Sequence, residues 1–348
     1  MSTDSIGPVV EAIETQLRDA IKRIHIDLPD QCNAVERAHA LVHRSPQKPA
    51  QLLVIEAESL LGKTRVLDII SGNIRSAYVL RVEGWTCRTE CSTGIDGRAL
   101  GILLCRELQA PVIGLGNLPR LGQYICKQIE RRRPVLLAVD NAHLLTNDGI
   151  PNPQPLEILG AIIASGVVPV ILSGRNGTSA VAEQLMGMVG QIMEVSELSP
   201  LPYAKGADLG RIRDFLLVLE GDLSPLLDQI GISMTLGTDD LAKRFWAGSW
   251  GSPGRISTLV LETLITIVRL RAEKRQNSRY SVKREDFAEA WRLLIARHSP
   301  LKFNPFKRFD APTLGDIQDA RKGLEQNKQK EELRLPTAPK GRGAMIWR

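Results

Sequence analysis

The sequence predicts an α/β protein in which a parallel sheet lies between two layers of helices and a smaller all-helical module follows. Apolar runs of strand length near 52–55, 134–139 and 167–172 alternate with segments of helical period, the pattern of β-α-β units feeding a parallel sheet. The first run breaks into a polar turn and then into Gly62-Lys63-Thr64 at a helix start. From Pro200 to about residue 295 the pattern is helical.

The stretch QLLVIEAESLLGKTRVL, residues 51–67, reads as strand, phosphate loop and helix. Such a loop turns backbone N–H groups inward to cradle phosphates, with a lysine for the β- and γ-phosphates and a hydroxyl for Mg²⁺. Lys63 and Thr64 fit those two roles, and the cradle runs from Ala57 through Glu58, Ser59, Leu60, Leu61 and Gly62 to Arg65. The pattern G-x-x-x-x-G-K-[ST] asks for glycine where this chain has Ala57.

Residues 8–24 place Val9, Ile13, Leu17, Ile21 and Ile24 on one helical face, and a second helix is expected over 33–43. Together they read as an N-terminal extension, 1–50, packed on a nucleotide domain of 51–199. After the phosphate-loop helix, AYVLRV (77–82) alternates and predicts the second strand. The polar, glycine-bearing stretch 83–100 then leads to helices over 97–108 and 121–132.

PVLLAVDNAHLL (134–145) is an apolar strand ending in an acid, which a Mg²⁺–water site beside a phosphate loop requires. Asp140 is therefore the metal-side acid, and Asn141 follows where an acid would serve as base. An asparagine cannot accept a proton from water. A helix over 155–165 precedes the strand VVPVILSG (167–174), whose polar end Ser173 is placed to meet a γ-phosphate or the attacking water; GQIMEVSEL (190–198) holds the last strand.

The helical module, 200–300, comprises helices over 208–219, 226–230, 239–246, 255–271 and 284–295, with a turn at 220–225. In the fourth, Ile256, Leu259, Val260, Leu264, Ile267 and Val268 share a face, and Arg255 opens it after the glycine-rich GSWGSPG. The remainder, 301–348, is expected to be a basic tail without fixed structure from about 321. From Arg321 to Arg348 there are eight Lys/Arg against three Glu, a net of +5 out of +6 for the chain, so the rest is nearly neutral.

The five cysteines are an odd, scattered set, which argues against a disulfide framework. The pairs Cys87/Cys91 and His39/His43 read as buried thiols and a solvated helix face rather than metal ligands. No run of about 18 apolar residues occurs, and the N-terminus is acidic where a signal peptide is basic, so a cytoplasmic protein with no membrane association is expected.

In order and spacing, AESLLGKT, LLAVDNAHLL, VPVILSGRNGTSAV, LSPLP, GRISTLVLETL and the NPF near the C-terminus resemble the TniB and TnsC family of AAA+ transposition ATPases, and more distantly MuB. The resemblance spans about residues 20–306. It implies a P-loop NTPase (AAA+) core of three αβα layers with a small helical lid and ATP and Mg²⁺ as ligands; Asn141, departing from that pattern, predicts slow or absent turnover. The resemblance further implies assembly on double-stranded DNA as a homo-oligomeric ring or helical filament, partnered by a DDE transposase and a target-selection protein of the TniQ type. Carried over residue by residue, Lys63 and Thr64 would hold phosphates and Mg²⁺, Asp140 the metal water, Ser173 the sensor-1 role and Arg255 the sensor-2 role. Arg88 and Arg98, in the segment after the second strand, would line the duplex. Three positions depart from the pattern: Ala57, Asn141, and MVGQIME, which lacks the Arg-Phe pair that precedes the last core strand in relatives. A nucleotide-independent scaffold and a genuine ATPase of the replication-initiator or clamp-loader type stand as alternatives.

Overall fold

The computed structural model describes residues 6–24, 26, 28–44, 51–78, 85–112, 117–147, 149–189, 193–203, 210–274, 278–299, 301–320 and 322. The chain divides into two compact units, Asp27–Pro200 and Met1–Ile26 together with Leu201–Arg348. The first helix, α1 (Ile6–Arg23), belongs to the second of these.

The core unit runs α2 (Pro29–Arg44), β1 (Leu52–Glu56), α3 (Lys63–Tyr78), β2 (Thr86–Glu90), α4 (Gly97–Glu107), α5 (Leu118–Arg132) and β3 (Leu136–Asp140). It continues with a small hairpin, β4 (Thr146–Asn147) and β5 (Ile150–Pro151), then α6 (Pro153–Ser165), β6 (Val170–Gly174), α7 (Thr178–Val189) and β7 (Met193–Glu197). Five strands form one parallel sheet in the order β2-β3-β6-β1-β7. Its central strands are apolar at nearly every position because both faces are covered. Leu52, Val54, Leu137, Val139, Val170 and Leu172 pack with residues of α4, α5, α6 and α7. Leu53, Ile55, Leu136, Ala138 and Ile171 pack with α2 and α3 on the other face. This is the three-layer α/β fold the sequence predicts.

The second strand lies further along the chain than expected. Residues 77 and 78 end α3, whose buried Val66, Leu67, Ile70 and Ile74 keep the helical period going, while 79–82 are outside the described residues. The strand is Thr86–Glu90, at the sheet edge, where pairing on one side only lets polar residues in. The thiols of Cys87 and Cys91 are buried, and burial pushes both up to about 12, so they are neutral packing groups.

The helical unit adds α8 (Gly210–Gln229), β8 (Ile232–Ser233), α9 (Asp239–Ser249), α10 (Pro253–Glu273), β9 (Tyr280–Ser281) and α11 (Arg284–Leu294) to α1. The expected N-terminal extension is therefore not one piece. The apolar face of α1 packs on α10 and α8, with Leu17 fully buried and Glu14 bidentate to Arg269 at 2.6 and 2.7 Å, whereas α2 packs on α3, β1 and β7 of the core. The two helices expected on either side of a turn at 220–225 are a single α8 that runs through Pro225. Its buried stripe of Ile212, Phe215, Leu216, Leu219, Leu223 and Leu227 gains more than the roughly 3 kcal/mol a mid-helix proline costs.

Residues 301–320 are part of this unit, not of a tail. Phe306 is fully buried in a cluster with Phe245 and Phe287, at ring-centroid distances of 5.2 and 5.8 Å. Residues 314–320 are helical with Ile317 fully buried. The tail expected from 321 lies outside the described residues apart from residue 322. Asp316 accepts hydrogen bonds from Thr313 and pairs with Arg308 at 2.9 Å, and the Arg308 guanidinium, foremost, holds its carboxyl down to about 2. A depressed carboxylate stabilises the fold above its unfolded value, and that contribution fades as pH falls through about 2. Asp316→Asn should thus lower Tm by a few degrees at pH 7, with the deficit closing at the acid end of a pH series; a deficit independent of pH would show that the charge is not what matters. Among the described residues, no helix is long and apolar enough to cross a membrane.

Candidate phosphate-binding site

The C-terminal edge of the parallel sheet, where ligands of open α/β sheets bind, gathers most of the residues the sequence singles out. β1 ends at Glu56 and the chain passes through the loop 57–62 into α3, whose first residues are Lys63 and Thr64. Leu60 and Gly62 carry the loop's positive φ values, 66° and 95°, and Ala57 has none. The first glycine of the usual pattern is dispensable here because its position needs no left-handed backbone. Ala57 is buried, and its N–H donates to Gly174 O at 3.1 Å, tying the loop to β6.

Gly62 is under tighter constraint. Its φ of 95° strains any other residue, and a Cβ there would press on Nε2 of Gln31, which donates to Leu61 O at 3.1 Å. Gln31, on α2, is buried to 7% exposure and clamps the loop from behind. The sequence pattern gives no hint of it, since a lone glutamine on an amphipathic helix carries no motif.

Lys63 is buried to 9% exposure and its Nζ donates to the carbonyls of Ala57 and Glu58, both at 2.7 Å. Burial first, and then the cation of Arg175, lowers its pKa, with Asp140 and Glu58 pulling the other way. Thr64 Oγ1 donates to Asp140 Oδ2 at 3.3 Å. A hydroxyl and a carboxylate side by side are the hard oxygen donors that Mg²⁺ takes, so the residues fit a Mg²⁺–phosphate group.

Strand register sets the rest of the site. Ala138 pairs with Ile171 and Val139 with Leu172, which brings Asp140 level with Ser173, and Glu90 is the partner of Asp140 on the other side. Asp140 is 4% exposed and Ser173 fully buried, and the Ser173 hydroxyl has no hydrogen-bond partner. An unpaired hydroxyl at such a depth costs about 1–3 kcal/mol unless a ligand satisfies it. Asn141 sits in left-handed backbone, φ 55° and ψ 34°; its N–H donates to Asp140 Oδ1 at 2.9 Å and its Nδ2 to Glu90 Oε1 at 2.8 Å.

Two basic groups complete the edge. His143 accepts from the Arg175 N–H at 3.3 Å through Nδ1, and burial, with the cations of Arg175 and Lys63, lowers its pKa, keeping it neutral near pH 7. Arg88, expected to face DNA, turns to Asp68 at 2.6 Å and to Asp140 Oδ2 at 3.1 Å. It shares a carboxylate oxygen with Thr64 and belongs to this site, because in β2 it occupies the same face as Asp140 and α3. Arg98 is exposed in the first turn of α4, beside Asp96, which caps that helix by accepting from Ala99 N at 2.7 Å. Arg255 lies in the helical unit, in the first turn of α10, with its N–H on the capping Ser252 Oγ at 3.4 Å.

No known protein-family profile and no curated protein sequence matches the chain. Solved structures do. The Aeropyrum pernix ORC2 protein, in ADPNP–ADP complexes, superposes with a TM-score of 0.55 at 13% identity over 79% of this chain and 71% of that one. Hsp104 in a closed state with ATPγS and FITC-casein superposes with a TM-score of 0.51 at 15% identity, over 92% of this chain and 48% of the Hsp104 chain. At these identities the likeness is one of fold, and the fold is that of the AAA+ P-loop NTPases.

Proposed function

We propose that the chain binds ATP with Mg²⁺ and regulates DNA transposition, assembling on duplex DNA and linking target-site selection to a DDE transposase, with slow hydrolysis. Nucleotide binding is supported by the convergence of Lys63, Thr64, Asp140 and the unpartnered Ser173 hydroxyl on one edge of the sheet. The transposition role is supported by the motif order the sequence shares with the TniB and TnsC family. A TniQ-type selector, a homo-oligomeric ring or filament and a DNA-associated cytoplasmic location belong to the same reading.

In this reading the Lys63 ammonium would turn from the carbonyls of Ala57 and Glu58 to the β- and γ-phosphates, and the N–H groups of 59–65 would line the cradle. Thr64 and Asp140 would hold Mg²⁺, whose charge would offset that of the phosphates. Ser173 gains in the γ-phosphate the partner it lacks. Arg255 would act as the sensor-2 cation, and Arg98 with the N-terminus of α4 would meet DNA phosphates. Asn141 cannot take a proton from water, so turnover falls below the common enzyme range of about 1 per second or more.

Negative-stain microscopy and anisotropy with duplex DNA, with and without ATP, test the assembly. The expected result is ATP-dependent rings or filaments and a DNA affinity that falls steeply with salt, with Arg98→Ala weakening binding evenly across sequences and reducing the salt slope by about 1. DNA-dependent assembly with no nucleotide affinity would favour the scaffold. No DNA association in either condition would overturn the transposition role.

A further inference from the structure

We propose that Glu90 is the general base for ATP hydrolysis at this site, with Asn141 as its positioning residue; the inference rests on the nucleotide-binding reading above. Asn141 follows the metal-side acid, where a base is needed, and has no proton-accepting group. The structure puts a carboxylate in hydrogen-bond contact with it. Asn141 Nδ2 donates to Glu90 Oε1 at 2.8 Å, and Glu90 is the register partner of Asp140.

The row Ser173, Asp140, Glu90 crosses β6, β3 and β2 at one level. All three side chains rise on the face covered by α3, which carries Lys63 and Thr64 at its start: Leu136 and Ala138, which alternate with Asp140, pack in the α2/α3 cluster, as does Ile171 two residues before Ser173. Arg88, two residues before Glu90 in β2, reaches Asp68 of α3 from the same face. Glu90 is also solvent-exposed, so a water has access to it.

Its contact through Oε1 fixes the carboxylate by the asparagine amide and leaves Oε2 for that water. A second constraint acts on Asn141 itself, which is pinned by its N–H to Asp140 Oδ1 at 2.9 Å in left-handed backbone. An amide held in this way orients a neighbouring carboxylate but does no proton transfer. The acid lies on edge strand β2 and the amide that steers it at the end of β3.

In the step, the water oxygen bonds to the γ-phosphorus while the bond from that phosphorus to the β,γ-bridging oxygen breaks, its electron pair leaving with ADP. The water proton passes to Glu90 and is released to solvent with inorganic phosphate as the other product. A base on a solvent-exposed edge strand supports slow rather than absent turnover.

Single-turnover hydrolysis of Mg·ATP, with nucleotide affinity and Tm measured in parallel on the full chain, tests this. Glu90→Gln should lower the rate by about 10²-fold or more, with ATP affinity within about twofold of wild type and Tm unchanged. The exchange Glu90→Asn with Asn141→Glu, which puts the acid on β3, should recover at least tenfold of that loss. An unchanged rate in Glu90→Gln overturns the assignment, as does a rate loss matched by an equal loss of affinity or accompanied by a fall in Tm. A wild type that binds ATP through Lys63 and does not hydrolyse it overturns Glu90 as base and leaves the nucleotide site standing; a wild type with no ATP affinity overturns both.

Discussion

Lys63→Ala should weaken Mg·ATP binding at least tenfold by calorimetry while leaving Tm within a few degrees of wild type. Losing a charge-assisted contact to phosphate in a largely desolvated site costs roughly 1.5–3 kcal/mol, and each 1.4 kcal/mol is about a tenfold change in affinity. The fold does not need the ammonium to the same degree. Its partners in the protein are the backbone carbonyls of Ala57 and Glu58, at 2.7 Å, and the loop is held independently by Gln31 on Leu61 O and by Ala57 N on Gly174 O. In the proposed reading ATP would compete with those two carbonyls for Nζ, so wild-type affinity would already contain the loss of both bonds. Lys63→Arg should be nearly as damaging, because a planar fork does not fit between two carbonyls and a phosphate chain as a compact ammonium does. Equal affinities in wild type and Lys63→Ala would mean that the loop does not bind phosphate.

What could be read from the chain follows from how buried each element is. β1, β3 and β6 are central strands covered on both faces, so they appear as apolar runs, and the chemistry at their ends stands out against them: Lys63 and Thr64 after β1, Asp140 closing β3, Ser173 near the end of β6. β2 is an edge strand whose residues Arg88 and Glu90 face α3, the phosphate loop and solvent, and it reads as a polar loop. The alternation at 77–82 points to the wrong segment for this strand, and no motif marks the pairing of Arg88 with Asp140 or of Glu90 with Asn141. Gln31 and Arg175 act through contacts 30 and 32 residues away in sequence, with Leu61 and His143, and no local pattern carries such information. The turn expected at 220–225 is absent because the continuous buried stripe of α8 outweighs one proline. Leu301, Phe303 and Phe306 follow no helical or strand period, so the sequence carries no sign of their burial, yet a loop buries Leu301 and Phe306 completely or nearly so.

Truncation after Pro300 should unfold the helical unit at 37 °C, while truncation after Ala320 should leave Tm within about 2 °C of the full chain. The difference lies in the twenty residues 301–320. Phe306 is fully buried and makes edge-on contact with Phe245, which in turn meets Phe287 at 5.0 Å. Removing a buried phenylalanine typically costs about 3–5 kcal/mol. The same segment supplies the acceptors of Arg244, a guanidinium with no exposed surface. It donates to the carbonyls of Pro305 at 2.6 Å, Arg308 at 2.9 Å and Phe309 at 3.0 Å, and is bidentate to Asp240. Without the segment, a buried cation keeps one carboxylate and loses three oxygens, a deficit of several kcal/mol more. The sum approaches the 5–15 kcal/mol that is the whole stability of a typical domain. Beyond Ala320 the chain is rich in Lys, Gln and Glu and poor in apolar residues. Its eight basic residues favour contact with nucleic-acid phosphates. Under the function proposed above, the Ala320 truncation should weaken DNA or transposase recruitment and leave nucleotide affinity unchanged. Comparable melting of the two truncations in circular dichroism would mean that the aromatic cluster and Arg244 do not hold the unit together.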